Sequence, residues 1–331
     1  MLNILFVTFP FFALVLCGFI AARGGMLPLA AIPGMNSFVL FFALPCMLYR
    51  FGASTPIAQL FDPSVALTYL LCGLVVVGFV VMVTLRGRIG WNDAAFGALV
   101  GAFPNTGFMG VPLLVALLGQ SAAGTAIVTI LVDMVITTSL CIALSRLDPA
   151  HLPAGVSGKA AAAQAVRNAL KGVATNPMPW SILLGAVVSA FAIELPAPVA
   201  KTIGLLADAA SPVALFTIGA VLARSQMMAA QDAAHAVPWD EVVPVALIKL
   251  FLHPLLVLLV GVTAISGGVP LPKDALTVLV LLAALPSASN VSLLAERFGA
   301  DNGRIARIIL VSTAAAFFTF SGAVGVMVGR G

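Results

Sequence analysis

The stretch Gly101-Ala-Phe-Pro-Asn-Thr-Gly-Phe-Met-Gly110-Val-Pro112 lies inside a run of apolar residues long enough to cross a membrane. Proline has no backbone N–H and clashes with the preceding helical turn, so Pro104 is expected to interrupt a helix. Broken backbone in hydrocarbon is tolerated only where protein buries it or a watery cavity receives it. Asn105 and Thr106 follow the proline directly. The stretch is therefore either a simple proline kink or part of a binding site, and by itself it favours neither.

The composition of the chain defines its class. It has 331 residues, of which 61% are hydrophobic and only 8% are charged. A soluble protein of this size needs more surface charge, so the chain is predicted to be an all-α polytopic membrane protein. Its apolar runs are continuous, unlike the alternating pattern of a transmembrane barrel. The lipid bilayer is thus an expected partner, and the net charge of +4 is not interpreted as a nucleic-acid signal.

Apolar runs of about 20 residues, the length that a helix needs to cross a bilayer, predict ten transmembrane helices with the fourth and ninth broken. They lie near 2–22, 33–50, 65–85, 93–118, 122–144, 178–193, 199–223, 242–266, 275–298 and 304–328. Cytoplasmic loops hold an excess of Lys and Arg. With ten spans, one alternate set of loops holds eleven of these residues and the other holds four, while Lys249 lies inside a span. The richer set is predicted to be cytoplasmic, so both termini lie outside. It comprises Arg23, Arg86, Arg88, Arg146, Lys159, Arg167, Lys171, Arg224, Arg297, Arg304 and Arg307.

Two halves related by inversion are predicted on either side of a long loop. Residues 1–144 form a first five-helix repeat with a broken helix at 101–110, residues 145–176 form a cytoplasmic linker, and residues 177–331 form a second repeat broken at 285–291. An odd number of spans per half turns the second half upside down. Proline-interrupted segments at matching positions of inverted halves point to the binding site of a secondary transporter.

The chemistry at the two breaks favours an anion. A helix that restarts at mid-membrane presents free N–H groups and the positive end of its dipole. Nearby amides and hydroxyls add further hydrogen-bonding groups. Such a site holds a carboxylate without a buried fixed positive charge, which is costly at that depth. The candidate substrate-binding residues are Pro104, Asn105, Thr106, Gly107, Pro286, Ser287, Ser289 and Asn290.

Four ionisable residues inside predicted spans are candidates for ion coupling. They are Asp133, Asp208, Lys249 and His253. Ionisable residues within the membrane are expensive, and they mark ion or substrate pathways by default. The alternative for Lys249 is that its side chain snorkels to the interface, with His253 a packed polar residue.

Motifs for other chemistry are missing from the sequence. It contains no phosphate-binding glycine loop and no His-Glu-x-x-His zinc motif. It also contains no Gly-x-Ser-x-Gly nucleophile elbow. The four cysteines lie in apolar runs without metal-ligand spacing. We therefore predict no catalytic residue, no metal site and no enzymatic activity.

Several blocks resemble the auxin efflux carrier family, over essentially the whole chain. They are Pro104-Asn-Thr-Gly-Phe-Met-Gly-Val-Pro-Leu113, Ser211-Pro-Val-Ala-Leu-Phe-Thr-Ile-Gly219, Lys249-Leu-Phe-Leu-His-Pro254, Leu285-Pro-Ser-Ala-Ser-Asn-Val-Ser-Leu-Leu-Ala-Glu-Arg-Phe-Gly299 and Val311-Ser-Thr313. The nearest branch is the bacterial malonate transporter type. The resemblance implies ten helices in two inverted repeats, similar to bile-acid sodium symporters, with a scaffold and a transport domain. It also implies that Asn105 holds a substrate carboxylate where the broken helices cross, a role that Asn290 matches less closely.

These observations predict a secondary transporter of the bacterial inner membrane for a small carboxylate, with malonate or a related dicarboxylate as first choice. Import of a dianion against a negative-inside potential costs about 2.3 kcal/mol per charge per 100 mV, so proton or sodium symport is expected. No cofactor other than such an ion is predicted, and a homodimer is left open. Two alternatives remain: an uncoupled exporter of a weak acid, and a membrane ligand sensor or scaffold subunit.

Overall fold

The computed structural model describes residues 2–60, 62–86, 89–147, 158–231 and 237–328. Almost all of these residues are helical. In chain order the helices are α1 Leu2–Arg23, α2 Ile32–Phe38, α3 Leu44–Ser54, α4 Ile57–Leu60, α5 Pro63–Thr84, α6 Trp91–Ala102, α7 Val111–Leu118, α8 Ala122–Val132, α9 Thr138–Ser145, α10 Gly158–Thr175, α11 Pro177–Ala190, α12 Ala197–Gln231, α13 Val243–Leu247, α14 His253–Ser266, α15 Lys273–Ala283, α16 Asn290–Arg297 and α17 Asn302–Val328. Part of the predicted cytoplasmic linker, residues 148–157, lies outside the described residues.

Seven continuous helical segments of the described chain are long and apolar enough to cross a membrane, or eight if a pair bent by 52° counts as one span. The seven are Ile4–Arg23, Leu29–Ser54, Ala58–Thr84, Ala122–Ser145, Ala197–Met228, Trp239–Ser266 and Asn302–Val328. The bent pair joins the end of α10 to α11. An all-helical, polytopic membrane protein is thereby confirmed. The predicted fourth and ninth spans do not contribute to this count because each is interrupted, so ten spans stays a prediction.

The two interruptions fall in the proline-containing stretches. Helix α6 ends at Ala102, and the chain resumes a helix at Thr106. Helix α15 ends at Ala283, and α16 begins at Asn290. We call residues 103–105 the first break and residues 284–289 the second break. Pro104 and Pro286 lie within them, and neither can donate a backbone hydrogen bond to continue a helix.

Four π-helical turns widen the helices of the described chain, and three of them immediately precede a proline. They are Val39–Ala43 before Pro45, Thr106–Gly110 before Pro112, Ile248–Leu252 before Pro254, and Asp133–Thr137. In the first three, the residue directly before the proline donates its N–H to the carbonyl five residues back. Because proline cannot continue the ladder of bonds to the fourth residue back, the wider turn absorbs the mismatch. Turns of this kind are frequent at functional sites.

Helices α1, α3, α11 and α12 pack together into a group that we call the panel. Their contacts are unusually close. A Cβ atom added at Gly18 of α1 would lie 1.9 Å from the Phe216 carbonyl oxygen, and one at Gly185 of α11 would lie 2.4 Å from that of Tyr49. Glycine at such positions lets the backbones of membrane helices approach one another. The remaining spanning helices pack mainly among themselves, around the two breaks.

Candidate functional site

The two breaks are hydrogen-bonded to each other. Pro104 and Ser287 form an isolated antiparallel pair. The Asn105 N–H donates to the Pro286 carbonyl at 2.9 Å, and the Ala288 N–H donates to the Phe103 carbonyl at 2.9 Å. Each break thus satisfies backbone groups that the other would leave without partners in the membrane interior. We call this contact the crossover.

Free backbone donors surround the crossover. The N–H groups of Gly107 and Phe108, where the first helix restarts, donate to no other described residue. The same is true of the N–H groups of Ser289 and Asn290 at the start of α16. In neither restart does a side chain cap the helix. Two positive helix ends with free donors therefore face the region where the chain segments cross, an arrangement that favours an anion.

Buried polar side chains without protein partners lie at the same place. The hydroxyls of Thr106 and Ser287 and the side-chain oxygen of Asn290 have no hydrogen-bond partner among the described residues. Thr106 is 0% exposed and Ser287 is 1% exposed. Asn105 is 4% exposed, and its amide also bonds to no described residue. Because buried polar groups are nearly always paired, this cluster indicates a place for a ligand or water.

Two cavities meet at Asn290. One, of about 400 Å³, lies between α2, α12 and α16 and is lined by Ser289, Asn290 and Arg224 among others. The other, of about 270 Å³, is lined by Asn290, Phe103 and Arg297 among others. Both arginines belong to the richer set of Lys and Arg, so the crossover is approached from the side predicted to be cytoplasmic.

Asp133 forms a buried hydrogen-bonded group beside the crossover helices. One of its carboxylate oxygens accepts from the Tyr69 hydroxyl at 2.7 Å, and the other accepts from the Thr137 hydroxyl at 3.0 Å. Asp133 is 1% exposed and Tyr69 is fully buried. Asp133 is the first residue of one of the four π-helical turns. Its two hydrogen bonds offset part of the cost of burying it in the membrane.

Lys249 reaches the end of the helix that precedes the second break. Its ammonium donates to the Ala283 carbonyl at 2.5 Å, and its Nζ lies 3.5 Å from the Nδ1 atom of His253. Lys249 is fully buried, so its side chain does not snorkel to the interface. Ala283 is the last residue of α15. The ammonium therefore sits at the negative end of that helix dipole, where a cation is favourable.

Asp133, Lys249 and His253 belong to one neighbourhood. The rings of Tyr69 and His253 are 6.1 Å apart between centroids. Within the described chain no N–O contact of 4.0 Å or less joins Lys249 to Asp133. The structure thus brings together three of the four residues that the sequence selected for ion coupling.

Asp208, the fourth candidate for ion coupling, lies apart from this neighbourhood. It pairs with Arg50 at 2.6 Å, joining α12 to α3 within the panel. The two side chains are 69% and 42% exposed, respectively. A pair of this kind accounts for the charge of Asp208 without a coupling role. The sequence missed this because Arg50 and Asp208 are distant along the chain.

Several site residues were not selected from the sequence. Tyr69 is one of only two tyrosines in the chain, and its position inside an apolar span was an available signal. Ser312 of α17 accepts from the Ser287 N–H at 3.2 Å and so holds the second break. Arg304, placed in a loop by the sequence, is 1% exposed at the start of α17 and donates to the Asp93 carbonyl at 2.9 Å.

Metal chemistry finds no support in the described part of the chain. No group of three or more His, Cys, Asp or Glu residues there could hold a metal ion. The cysteines Cys17, Cys46, Cys72 and Cys141 are free. Cys72 and Cys141 are buried among apolar side chains, as expected for packing residues.

An interrupted pair of helices meeting inside a polytopic helical membrane protein is the architecture of a transport protein. The chain belongs to the membrane transport protein family, whose model matches residues 4–324. The resemblance to the auxin efflux carrier family is thereby confirmed.

Two relatives illustrate the family. The chain is 29% identical over 319 residues to the "Putative malonate transporter" of Rhizobium meliloti (strain 1021), covering 95% of this chain and 92% of that protein. It is 30% identical over 206 residues to the "Uncharacterized transporter YfdV" of Escherichia coli (strain K12), covering 62% of this chain and 59% of that protein. Both relatives are named as transporters and neither as an enzyme.

Proposed function

We propose that the protein is a secondary transporter that moves a small organic anion, malonate or a related dicarboxylate, across the bacterial inner membrane by alternating access. The observation that carries this proposal is the crossover. It joins two broken helices and surrounds their restarts with free N–H donors and unpaired hydroxyl and amide groups. The N–H and hydroxyl donors of this set suit a carboxylate, and they avoid a fixed positive charge at the crossover.

The proposed architecture has ten spans in two inverted repeats, with each broken segment counted as one span. Proline-interrupted helices that cross at matching positions of the two halves support it. The glycine-packed panel is proposed as the static scaffold, and the helices around the crossover as the part that moves. With ten spans, the distribution of Lys and Arg favours both termini on the periplasmic side.

Asp133, Lys249 and His253 are proposed to couple transport to a proton or sodium gradient. All three are buried, and Lys249 contacts the last carbonyl of α15, directly before the second break. A change of charge in this group would therefore act directly on one of the two helices that form the crossover. Coupling is needed because an imported dianion moves against the membrane potential.

Substitution of Asn105 by alanine tests the crossover. Asn105→Ala is expected to abolish uptake of radiolabelled malonate into proteoliposomes while the purified protein keeps its thermal stability and elution volume. Gln164→Ala is the matched control, because Gln164 carries an exposed amide on α10, bonds only to Asn168 and lines neither of the two cavities. Unchanged transport by Asn105→Ala would refute the proposed site.

Imposed gradients separate the remaining alternatives. Accumulation of malonate that requires a proton or sodium gradient supports coupled import. Efflux driven by the membrane potential alone would instead indicate an uncoupled weak-acid exporter. A ligand that binds at the crossover without being moved under any gradient would indicate a sensor or scaffold subunit.

A further inference from the structure

Arg224 stands out among the cationic residues near the crossover. It lies on α12, on the panel side of the 400 Å³ cavity, opposite Ser289 and Asn290. The side chain is half-buried. Its guanidinium makes no hydrogen bond or ion pair with any residue that the structure describes. A permanently charged group thus faces the same space as the unpaired amide oxygen of Asn290.

The neighbouring arginines are engaged by the protein itself. Arg304 donates to the Asp93 carbonyl, and Arg307 donates to the Val237 carbonyl at 2.7 Å. These two hydrogen bonds give Arg304 and Arg307 structural roles. Arg297 is exposed, lies over the ring of its chain neighbour Phe298 at 6.0 Å from the centroid, and lines the other cavity beside Phe103. Arg224 makes none of these contacts among the described residues, so its guanidinium is available to a ligand in the cavity that Ser289 and Asn290 line.

We propose that Arg224 is a specificity-determining residue that binds the second carboxylate of a short dicarboxylate whose first carboxylate is held at the crossover. The inference rests on the proposed function, and it specifies that the site recognises the second carboxylate of the substrate. The planar guanidinium presents paired N–H donors that match a carboxylate. A monocarboxylate leaves this charged group without its partner, so the site discriminates against it.

Glu296 offers a competing explanation for Arg224. It lines the same cavity from α16, across from α12, and is exposed. No N–O contact of 4.0 Å or less joins the two side chains in the described structure. If the cavity closes during transport and brings the two side chains into contact, Arg224 and Glu296 form a gate, and Arg224 does not bind the substrate. The two explanations differ in what they predict for monocarboxylates.

Binding of a matched pair of ligands distinguishes them. Malonate and monomethyl malonate share a carbon skeleton, but the ester blocks one carboxylate. Isothermal titration of the full-length protein in detergent is expected to show that Arg224→Gln weakens malonate binding by about tenfold or more, as for other hydrogen bonds to charged groups. Binding of monomethyl malonate is expected to stay unchanged. Arg23→Gln, which removes a charge on the same predicted face but outside this cavity, should alter neither.

Other outcomes overturn the inference. If Arg224→Gln changes the binding of both ligands equally, or of neither, Arg224 does not bind the second carboxylate. Recovery of transport in the charge-swapped Arg224→Glu/Glu296→Arg protein establishes the gate instead. If the unsubstituted protein binds both ligands equally while Asn105→Ala binds neither, the crossover site stands and only the role of Arg224 falls. If the unsubstituted protein binds neither ligand, the proposed function for dicarboxylates falls as well.

Discussion

The two breaks pair with each other through equivalent backbone bonds, yet their surroundings differ. The first break is short, from Phe103 to Asn105, and Asn105 is 4% exposed. The second spans residues 284–289, and the Asn290 that follows it borders two cavities. The 400 Å³ cavity borders Ser289 and Asn290 but no residue of the first break, and only Phe103 of the first break borders the smaller cavity. The two breaks therefore differ in how much of each faces a cavity.

The helix ends that lead into the breaks also differ. At the end of α6, the Phe103 N–H donates to the Leu99 carbonyl at 2.9 Å, which is a bond between two backbone groups. The end of α15 receives in addition the ammonium of Lys249 from another span. Among the described residues, an ammonium thus contacts the helix end before the second break and none contacts the helix end before the first. The two helix ends therefore differ in charge, although their breaks pair through equivalent backbone bonds.

The largest effect that separates the two breaks is expected from Lys249→Met. The Ala283 carbonyl at the end of α15 would lose its charged donor, and the loss of a hydrogen bond to a charged group costs about 1.5–3 kcal/mol. Thermal or chemical unfolding in detergent measures the loss. Lys201→Met, on an exposed position of α12, is the control.

The double substitution Lys249→Met/Asp133→Asn sharpens this result. Because the two side chains lie in one buried neighbourhood, a coupling energy of about 0.5–3 kcal/mol between the sites is expected. Strictly additive effects would show that Lys249 and Asp133 act independently of each other. The second break would then be held by the Ala283 contact alone.

A thiol placed at each break tests the difference in access. In a protein whose four native cysteines are replaced by alanine, Asn290→Cys is expected to react with a water-soluble maleimide at least about tenfold faster than Asn105→Cys, because buried thiols react poorly. Labelling rates followed by mass spectrometry in oriented vesicles provide the measurement. Equal rates would show that positions 105 and 290 are equally accessible to water, which would contradict the difference in access between the two breaks.

The smallest effect concerns packing at the first restart. A Cβ atom at Gly110 would lie 2.7 Å from the Leu285 Cδ1 atom and 2.9 Å from the Leu282 Cδ2 atom, whereas at Gly107 its nearest neighbour is 3.9 Å away. Gly110→Ala is therefore expected to destabilise the protein by about 1 kcal/mol through overpacking. Gly107→Ala is the matched control, with little change in melting temperature. Similar losses of stability for both variants would show that Leu282 and Leu285 can move away from a methyl group added at Gly110.

Much of the site could be read along the chain. Pro104 and Pro286 marked the interruptions because proline cannot continue a helical hydrogen-bond ladder. Asn105 and Asn290 were selected because they follow those interruptions. Lys249 and His253 were expected on one helix face from their spacing of four residues, and their nitrogen atoms lie 3.5 Å apart.

Other parts could not be read this way. Tyr69 bonds to Asp133 across 64 residues, and Ser312 bonds to the backbone of Ser287 across 25 residues. Nothing in the local pattern of either segment specifies these partners. Asp208 was grouped with the coupling residues for the same reason, because its partner Arg50 lies 158 residues away.

The sequence by itself determined the membrane class of the protein, the positions of its interruptions and its family, because hydropathy and proline chemistry act over short stretches of chain. Only the tertiary structure decided that the two breaks satisfy each other's backbone groups, that Lys249 reaches Ala283, and that the second break borders the cavities. Those features depend on how separate helices are placed in space. In the membrane interior, where water supplies no hydrogen bonds, that placement decides which polar groups are paired and which stay free for a ligand.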